Sequence, residues 1–119
     1  MSQVILAEDE AQLRSLISSM LAEKGVKVRE AADGIEALQL LKDNPTVALL
    51  LSDIVMPRMD GRALQRAGRQ RFPKVPILLM SGYEADSTRE EGPILKKPFT
   101  AVELARAVRE ALDRAAAVT

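Results

Sequence analysis

Cysteine, histidine and tryptophan are absent from the 119 residues, and aromatic side chains amount to one Tyr and two Phe. Without Cys or His there is no disulfide framework, no thiolate or imidazole zinc site, and no nucleophile activated by an imidazole. Any metal must be held by oxygen. An excess of one charge is also missing, since 17 Lys+Arg balance 17 Asp+Glu. A neutral chain with so few stacking rings is a poor match for nucleic acid or an anionic membrane surface. No apolar run approaches the ~18 residues expected of a membrane span. The acidic start, Glu8-Asp9-Glu10, is unlike the basic opening of a signal peptide. The chain reads as cytoplasmic, with no membrane partner. Its length suits a single domain over residues 1–119, and 47% apolar residues suffice for an ordinary core.

Short aliphatic runs are what the chain does have: Val4 to Ala7, Val47 to Leu51, Val75 to Met80, and the brief Ile94-Leu95. Near-continuous aliphatic runs suit strands covered on both faces, as in a parallel sheet, whereas the alternation around Val26 and Val28 suits a half-exposed edge strand. Helical stripes lie between them. Leu13, Leu16, Ile17, Met20 and Leu21 share one face, with Gly25 placed to end the helix; Ile35, Leu38 and Leu41, then Ala63, Leu64 and Ala67, give shorter stripes. Leu104, Val108, Ala111 and Leu112 give the last. Thr100 with Glu103 is a capping box, and Asp33 with Glu36 is its aspartate version. Strand and helix alternate about five times, which predicts right-handed crossovers and a doubly wound, three-layer α/β sheet of five parallel strands.

Ligands of such sheets bind beyond the carboxyl ends of the strands, where strand order reverses. Those ends carry Glu8, Asp9 and Glu10, then Asp53, then Ser81, then Lys97-Pro98. With strand order 2-1-3-4-5, Glu8, Asp9 and Asp53 converge. At an effective dielectric of ~20, two carboxylates about 5 Å apart repel by roughly 3 kcal/mol, so a proton or a cation must enter. With oxygen ligands alone the natural cation is Mg²⁺, which keeps several waters and takes one or two carboxylates plus a phosphate oxygen. The turn after the first strand is acidic and lacks a glycine cradle, which disfavours a bound nucleotide. A phosphoryl group brought by a partner remains, and Asp53 is the best placed nucleophile.

The segments ILAEDE, LLLSDIVMPRMDG, ILLMSGY and LKKPFT, in this order and spacing, resemble the receiver domains of response regulators in two-component signalling, over about Val4 to Leu112. The resemblance implies a flavodoxin-like (CheY-like) fold and a phosphorelay function. It implies Asp53 as phosphoacceptor, with Mg²⁺ held by Asp9 directly, Glu8 through water, Asp53 and the backbone carbonyl of Val55. Ser81 would bond the phosphoryl group, and Lys97 would reach the site beside a cis proline. The implied partner is a sensor histidine kinase or a histidine phosphotransfer protein, docking on the first helix around Leu13 to Met20. The chain leaves no residues for an effector domain, so its output is expected to be contact with another protein.

Three departures from the family pattern stand out. Ile94 occupies the switch position commonly held by Tyr or Phe, and Tyr83 is the substitute candidate. The interval from Ser81 to Lys97 is short, which predicts a clipped helix within Glu84 to Gly92, as in receivers attached to hybrid sensor kinases. Val55 and Tyr83 sit where hydrolysis is tuned, and neither positions a water, which predicts slow to moderate self-dephosphorylation. Plainer readings stand beside these: the acidic trio as first-turn helix acids, Asp53 as a turn residue, Lys97 as a solvated lysine interchangeable with its neighbour Lys96 were it not that Pro98 selects Lys97, and Arg58, Arg62, Arg66 and Arg69 as a solvated basic stripe. Two rival functions are an aspartate-based Mg²⁺ phosphohydrolase, disfavoured because Val55 supplies no second acid, and a pseudo-receiver that binds without phosphorylation.

Overall fold

In the computed structural model, residues 3–82 and 94–118 are described. Five strands, β1 (Gln3–Ala7), β2 (Lys27–Ala31), β3 (Leu49–Asp53), β4 (Ile77–Ser81) and β5 (Ile94–Lys96), form one parallel sheet in the order β2-β1-β3-β4-β5. Four helices accompany them: α1 (Ala11–Ala22), α2 (Gly34–Asp43), α3 (Gly61–Arg71) and α4 (Ala101–Val118). The clipped helix expected within Glu84 to Gly92, and Tyr83 with it, lie outside the described residues.

Each strand splits its side chains between two cores because successive residues point to opposite faces. Ile5, Ala7, Leu50 and Leu79 pack with Ala37 and Leu41 of α2 and Leu64 of α3, while Val4, Leu6, Leu49, Leu51, Leu78 and Met80 pack with Ile17 and Leu21 of α1 and Leu104 and Val108 of α4. The central strands β3 and β4 are buried along their whole length, through the apolar runs Leu49 to Leu51 and Ile77 to Met80 and the polar residues that end each strand. Burying each leucine contributes about 2 kcal/mol. The edge strand β2 is only partly covered.

The Thr100 capping box forms in full and the Asp33 version in half. The Thr100 hydroxyl accepts the Glu103 amide at 3.1 Å and the Glu103 carboxylate accepts the Thr100 amide at 2.8 Å. Asp33 accepts the Glu36 amide at 2.9 Å, and Glu36 reaches back to Ala32 rather than to the cap residue itself. The C-cap of α1 is Glu23, and Gly25, expected to end the helix, turns the chain two residues further on at a positive φ of 79°.

The helical stripes need two corrections. Leu16 is 51% exposed and Ile35 46% exposed. The sheet covers a narrower sector of α1 and α2 than the apolar stripe spans, and in α2 Ala37 takes the buried place that Ile35 does not. The basic stripe needs a third. Arg58 precedes α3, stands at a positive φ of 66° and pairs with Asp33, so it is no part of a solvated helix face.

Candidate functional site

The carboxyl ends of β1 and β3 lie side by side because Ala7 pairs with Ser52 in the register. That register sets Glu8, Asp9 and Asp53 at one edge of the sheet, with one carboxylate oxygen from each within 4.8 Å of the others. Glu8 and Asp53 are buried, and Asp9 is exposed at the mouth. Neither Glu8 nor Asp9 belongs to a helix, since α1 begins at Ala11, so the first-turn reading of these acids does not hold. Asp53 is the last residue of β3, only 7% exposed, which removes the turn reading as well.

Lys97 closes the cluster from the end of β5. Its ammonium lies 3.1 Å from Glu8 Oε1 and 3.1 Å from Asp53 Oδ2. The Lys97–Pro98 bond is cis, and Lys97 N–H donates to Ser81 O at 2.8 Å. Lys96 faces solvent, so the neighbour of the proline is the lysine that enters the site. Glu8 and Asp53 are each held at both oxygens. Glu8 Oε2 accepts the Glu10 amide at 3.0 Å, and Asp53 Oδ1 accepts the Ile54 amide at 2.9 Å. Ser81 is buried at the end of β4, its hydroxyl donating to Gly82 O at 3.0 Å.

Burial pushes the Asp53 carboxyl above its ordinary range, against the opposing pull of the Lys97 ammonium and the Ile54 amide. Burial likewise raises Glu8, helped by the Asp53 charge and resisted by the Glu10 amide and Lys97. For Lys97, burial works downward, but the hydrogen bonds and charges of Glu8 and Asp53 outweigh it and hold the ammonium above its usual value. Three carboxylates against one ammonium leave a deficit of positive charge. The donor set is all oxygen, partly dehydrated and open on the Asp9 side, which fits a hard divalent ion such as Mg²⁺.

Val55 follows with its side chain exposed, in the loop 54–60 that leads to α3. Ile94 is partly buried against the core beneath α2 and α3. Sequence reasoning missed two supports of the site. Arg14 donates to the backbone carbonyl of Glu8 at 2.7 Å and also meets Glu30 at 3.4 Å. Gly61 lets α3 press on β3, because a Cβ there would stand 2.2 Å from Asp53 O. The Asp60-Gly61 pair signals a turn in the sequence, but nothing in it marks that approach.

The doubly wound sheet thus carries an acidic cluster and a paired lysine at its switch point. Residues 4–109 match the model of the response regulator receiver domain. The chain belongs to this family, the receiver domains of two-component systems. It is 36% identical over 118 residues to the sensor kinase CckA of Brucella abortus, covering 93% of this chain and 12% of that protein. It is 32% identical over 119 residues to the response regulator receiver protein CpdR of the same organism, covering 94% of this chain and 98% of that one. The chain thus spans about an eighth of one curated relative and nearly all of another. Among solved structures, the receiver domain of NtrX from Brucella abortus superposes with a TM-score of 0.84 at 28% identity, over 92% of this chain and 98% of that one. A response regulator receiver domain protein from Clostridium thermocellum shares the fold, with a TM-score of 0.90 at 23% identity over both entire chains. Among the described residues no helix is long and apolar enough to cross a membrane.

Proposed function

We propose that this chain is a phosphorylatable switch that accepts a phosphoryl group from a phosphohistidine onto Asp53. The observation that carries the reading is the buried Asp53 carboxylate, fixed by Ile54 and Lys97 inside a cluster of oxygen ligands. One carboxylate oxygen of Asp53 attacks phosphorus while the P–N bond to the donor imidazole breaks, and that nitrogen keeps the electron pair. No general base is needed, because the nucleophile is already an anion. The transition state is loose and spreads charge over the equatorial oxygens. The Lys97 ammonium and a rotated Ser81 hydroxyl are this chain's own donors toward that charge.

Asp9, Asp53 and the Val55 carbonyl would hold Mg²⁺, with Glu8, already engaged by Lys97 and Glu10, acting through water. When bound, the ion neutralises negative charge on the phosphoryl oxygens. Beside Lys97 opens an apolar groove of about 460 Å³, lined by Leu13, Leu16, Ile17, Met20 and Phe99. It suits the apolar side of a helix on a histidine kinase or phosphotransfer protein, brought next to Asp53. Val55 offers no group to orient a hydrolytic water, so the acyl phosphate is expected to outlast seconds.

The test is incubation with acetyl phosphate or phosphoramidate and Mg²⁺, followed by intact mass. A single phosphate adduct, absent from Asp53→Asn, supports the reading. Steady release of phosphate without an adduct supports a phosphohydrolase instead, and no reaction supports a binding module.

A further inference from the structure

The loop 54–60 joins Asp53 to α3 and contains Val55, so its shape sets where the Val55 carbonyl stands. Its base is closed by Gly61 N–H donating to Ile54 O at 2.8 Å. Its tip is a tight turn in which Met59 N–H donates to Pro57 O at 2.8 Å, with Arg58 at the centre. The φ of 66° at Arg58 is the one positive value among the described non-glycine residues. Turns of this kind, with a side chain at positive φ, are strained and persist where surrounding contacts over-determine them.

The contacts come from the corner between β2 and α2. The Arg58 guanidinium donates twice to Asp33 Oδ2, through Nε at 2.7 Å and through Nη2. Asp33 Oδ1 meanwhile caps α2 through the Glu36 amide. One residue on, Gly34 N–H donates to Met59 O at 3.2 Å, and a Cβ at Gly34 would stand 2.5 Å from that oxygen. The same corner holds the other half of the site, because Glu8 N–H donates to Ala31 O at 3.0 Å. Residues 31–34 therefore tie the acidic pair after β1 and the Val55 loop after β3 to one rigid point.

We propose that Arg58 and Asp33 are positioning residues for the cation site: their ion pair clamps the Val55 loop on the α2 corner and so sets the affinity for Mg²⁺. The inference rests on the cation reading given above. Second-layer contacts of metal ligands are commonly worth ~10-fold or more in affinity, and the Arg58 side chain, 56% exposed, is placed at the lower end of that scale.

The whole chain is titrated with MgCl₂, following backbone amide shifts and the heat of binding, and the melting temperature without metal is recorded. Arg58→Gly removes the clamp but is at ease with a positive φ, and Asp33→Asn keeps the helix cap but lowers the charge. Both are expected to raise the half-saturating Mg²⁺ concentration about tenfold, with Arg58→Lys recovering part of the loss. The metal-free melting temperature of Arg58→Gly is expected to stay near that of the parent. Half-saturation within twofold of the parent in Arg58→Gly, or a lowered melting temperature with unmoved Mg²⁺ binding, overturns the clamp. Should Arg58→Gly not fold, Asp33→Asn decides by the same criterion. A parent chain with no saturable Mg²⁺ binding sinks the cation reading and this inference together, whereas normal parent binding with unmoved variants sinks the clamp alone.

Discussion

Replacing Lys97 by Met keeps the length of the side chain and removes its charge, so it isolates what the ammonium does for Glu8 and Asp53. At 3.1 Å from each partner and an effective dielectric of ~20, each attraction is about 5 kcal/mol, and two facing carboxylate oxygens within 4.8 Å repel by at least about 3.5 kcal/mol. Most of that gross attraction is cancelled because the lysine no longer has to leave water. Breaking a buried pair from one side leaves a net loss of ~3–5 kcal/mol. Lys97 is 22% exposed and the acids can take up a proton, which sets the expected loss near ~3 kcal/mol at pH 8. The sign of the pH dependence follows from the direction of the shifts. Glu8 and Asp53 are raised above 4.5 and 3.8, so the folded state binds more protons than the unfolded chain above those values, and stability falls as pH rises through that window. Without Lys97 both carboxyls climb further and the window widens upward. Urea unfolding followed by far-ultraviolet circular dichroism at pH 5.5 and pH 8, with and without Mg²⁺, reads this out. The deficit of Lys97→Met is expected to shrink on acidification and to shrink again with Mg²⁺. A deficit that is the same at both pH values, or that Mg²⁺ enlarges, refutes the reasoning.

Asp33 shifts the other way, held low first by the Glu36 amide and then by Arg58; its contribution is present above 3.8 and lost as pH falls through its folded value, so Asp33→Asn should flatten the acid limb of a stability–pH curve. Gly61→Ala places a Cβ 2.2 Å from Asp53 O and 2.8 Å from Ile54 Cα, both backbone atoms, and should cost about 3 kcal/mol in a thermal melt, at the upper end for overpacking. Thr100→Ala breaks one half of a capping box and should cost ~1 kcal/mol, a drop of about 4 °C in Tm. Leu16→Gln alters an exposed residue of the groove, so stability should stay within ~0.5 kcal/mol, while transfer from a phosphohistidine protein slows and transfer from acetyl phosphate does not.

The sheet was legible because strands covered on both faces must be aliphatic throughout, and Val4 to Ala7, Val47 to Leu51 and Ile77 to Met80 are. Strand ends then located Glu8, Asp9, Asp53, Ser81 and Lys97 without side-chain detail. Leu16 and Ile35 misled because periodicity identifies an apolar sector but not how much of it a neighbour covers. Arg58 misled for a different reason. Its spacing from Arg62 and Arg66 imitates a helical face, yet the helix starts at Gly61, and the positive φ at Arg58 carries no glycine to announce it. The bond from Arg14 to the Glu8 carbonyl joins a side chain to a main-chain atom across a turn, and no residue pattern encodes such a contact.

The division of every central strand between two cores has a consequence for hydrogen exchange. β1, β3 and β4 are each hydrogen-bonded to a strand on either side beneath both helical layers, so their amides open only in an event close to global unfolding. The three-residue β5 is paired on one side only and is partly exposed, so its amides open at far lower cost. Among the described strands, slow exchange should therefore be confined to β1, β3 and β4. The rim carrying Lys97 can then open while the centre of the sheet stays closed.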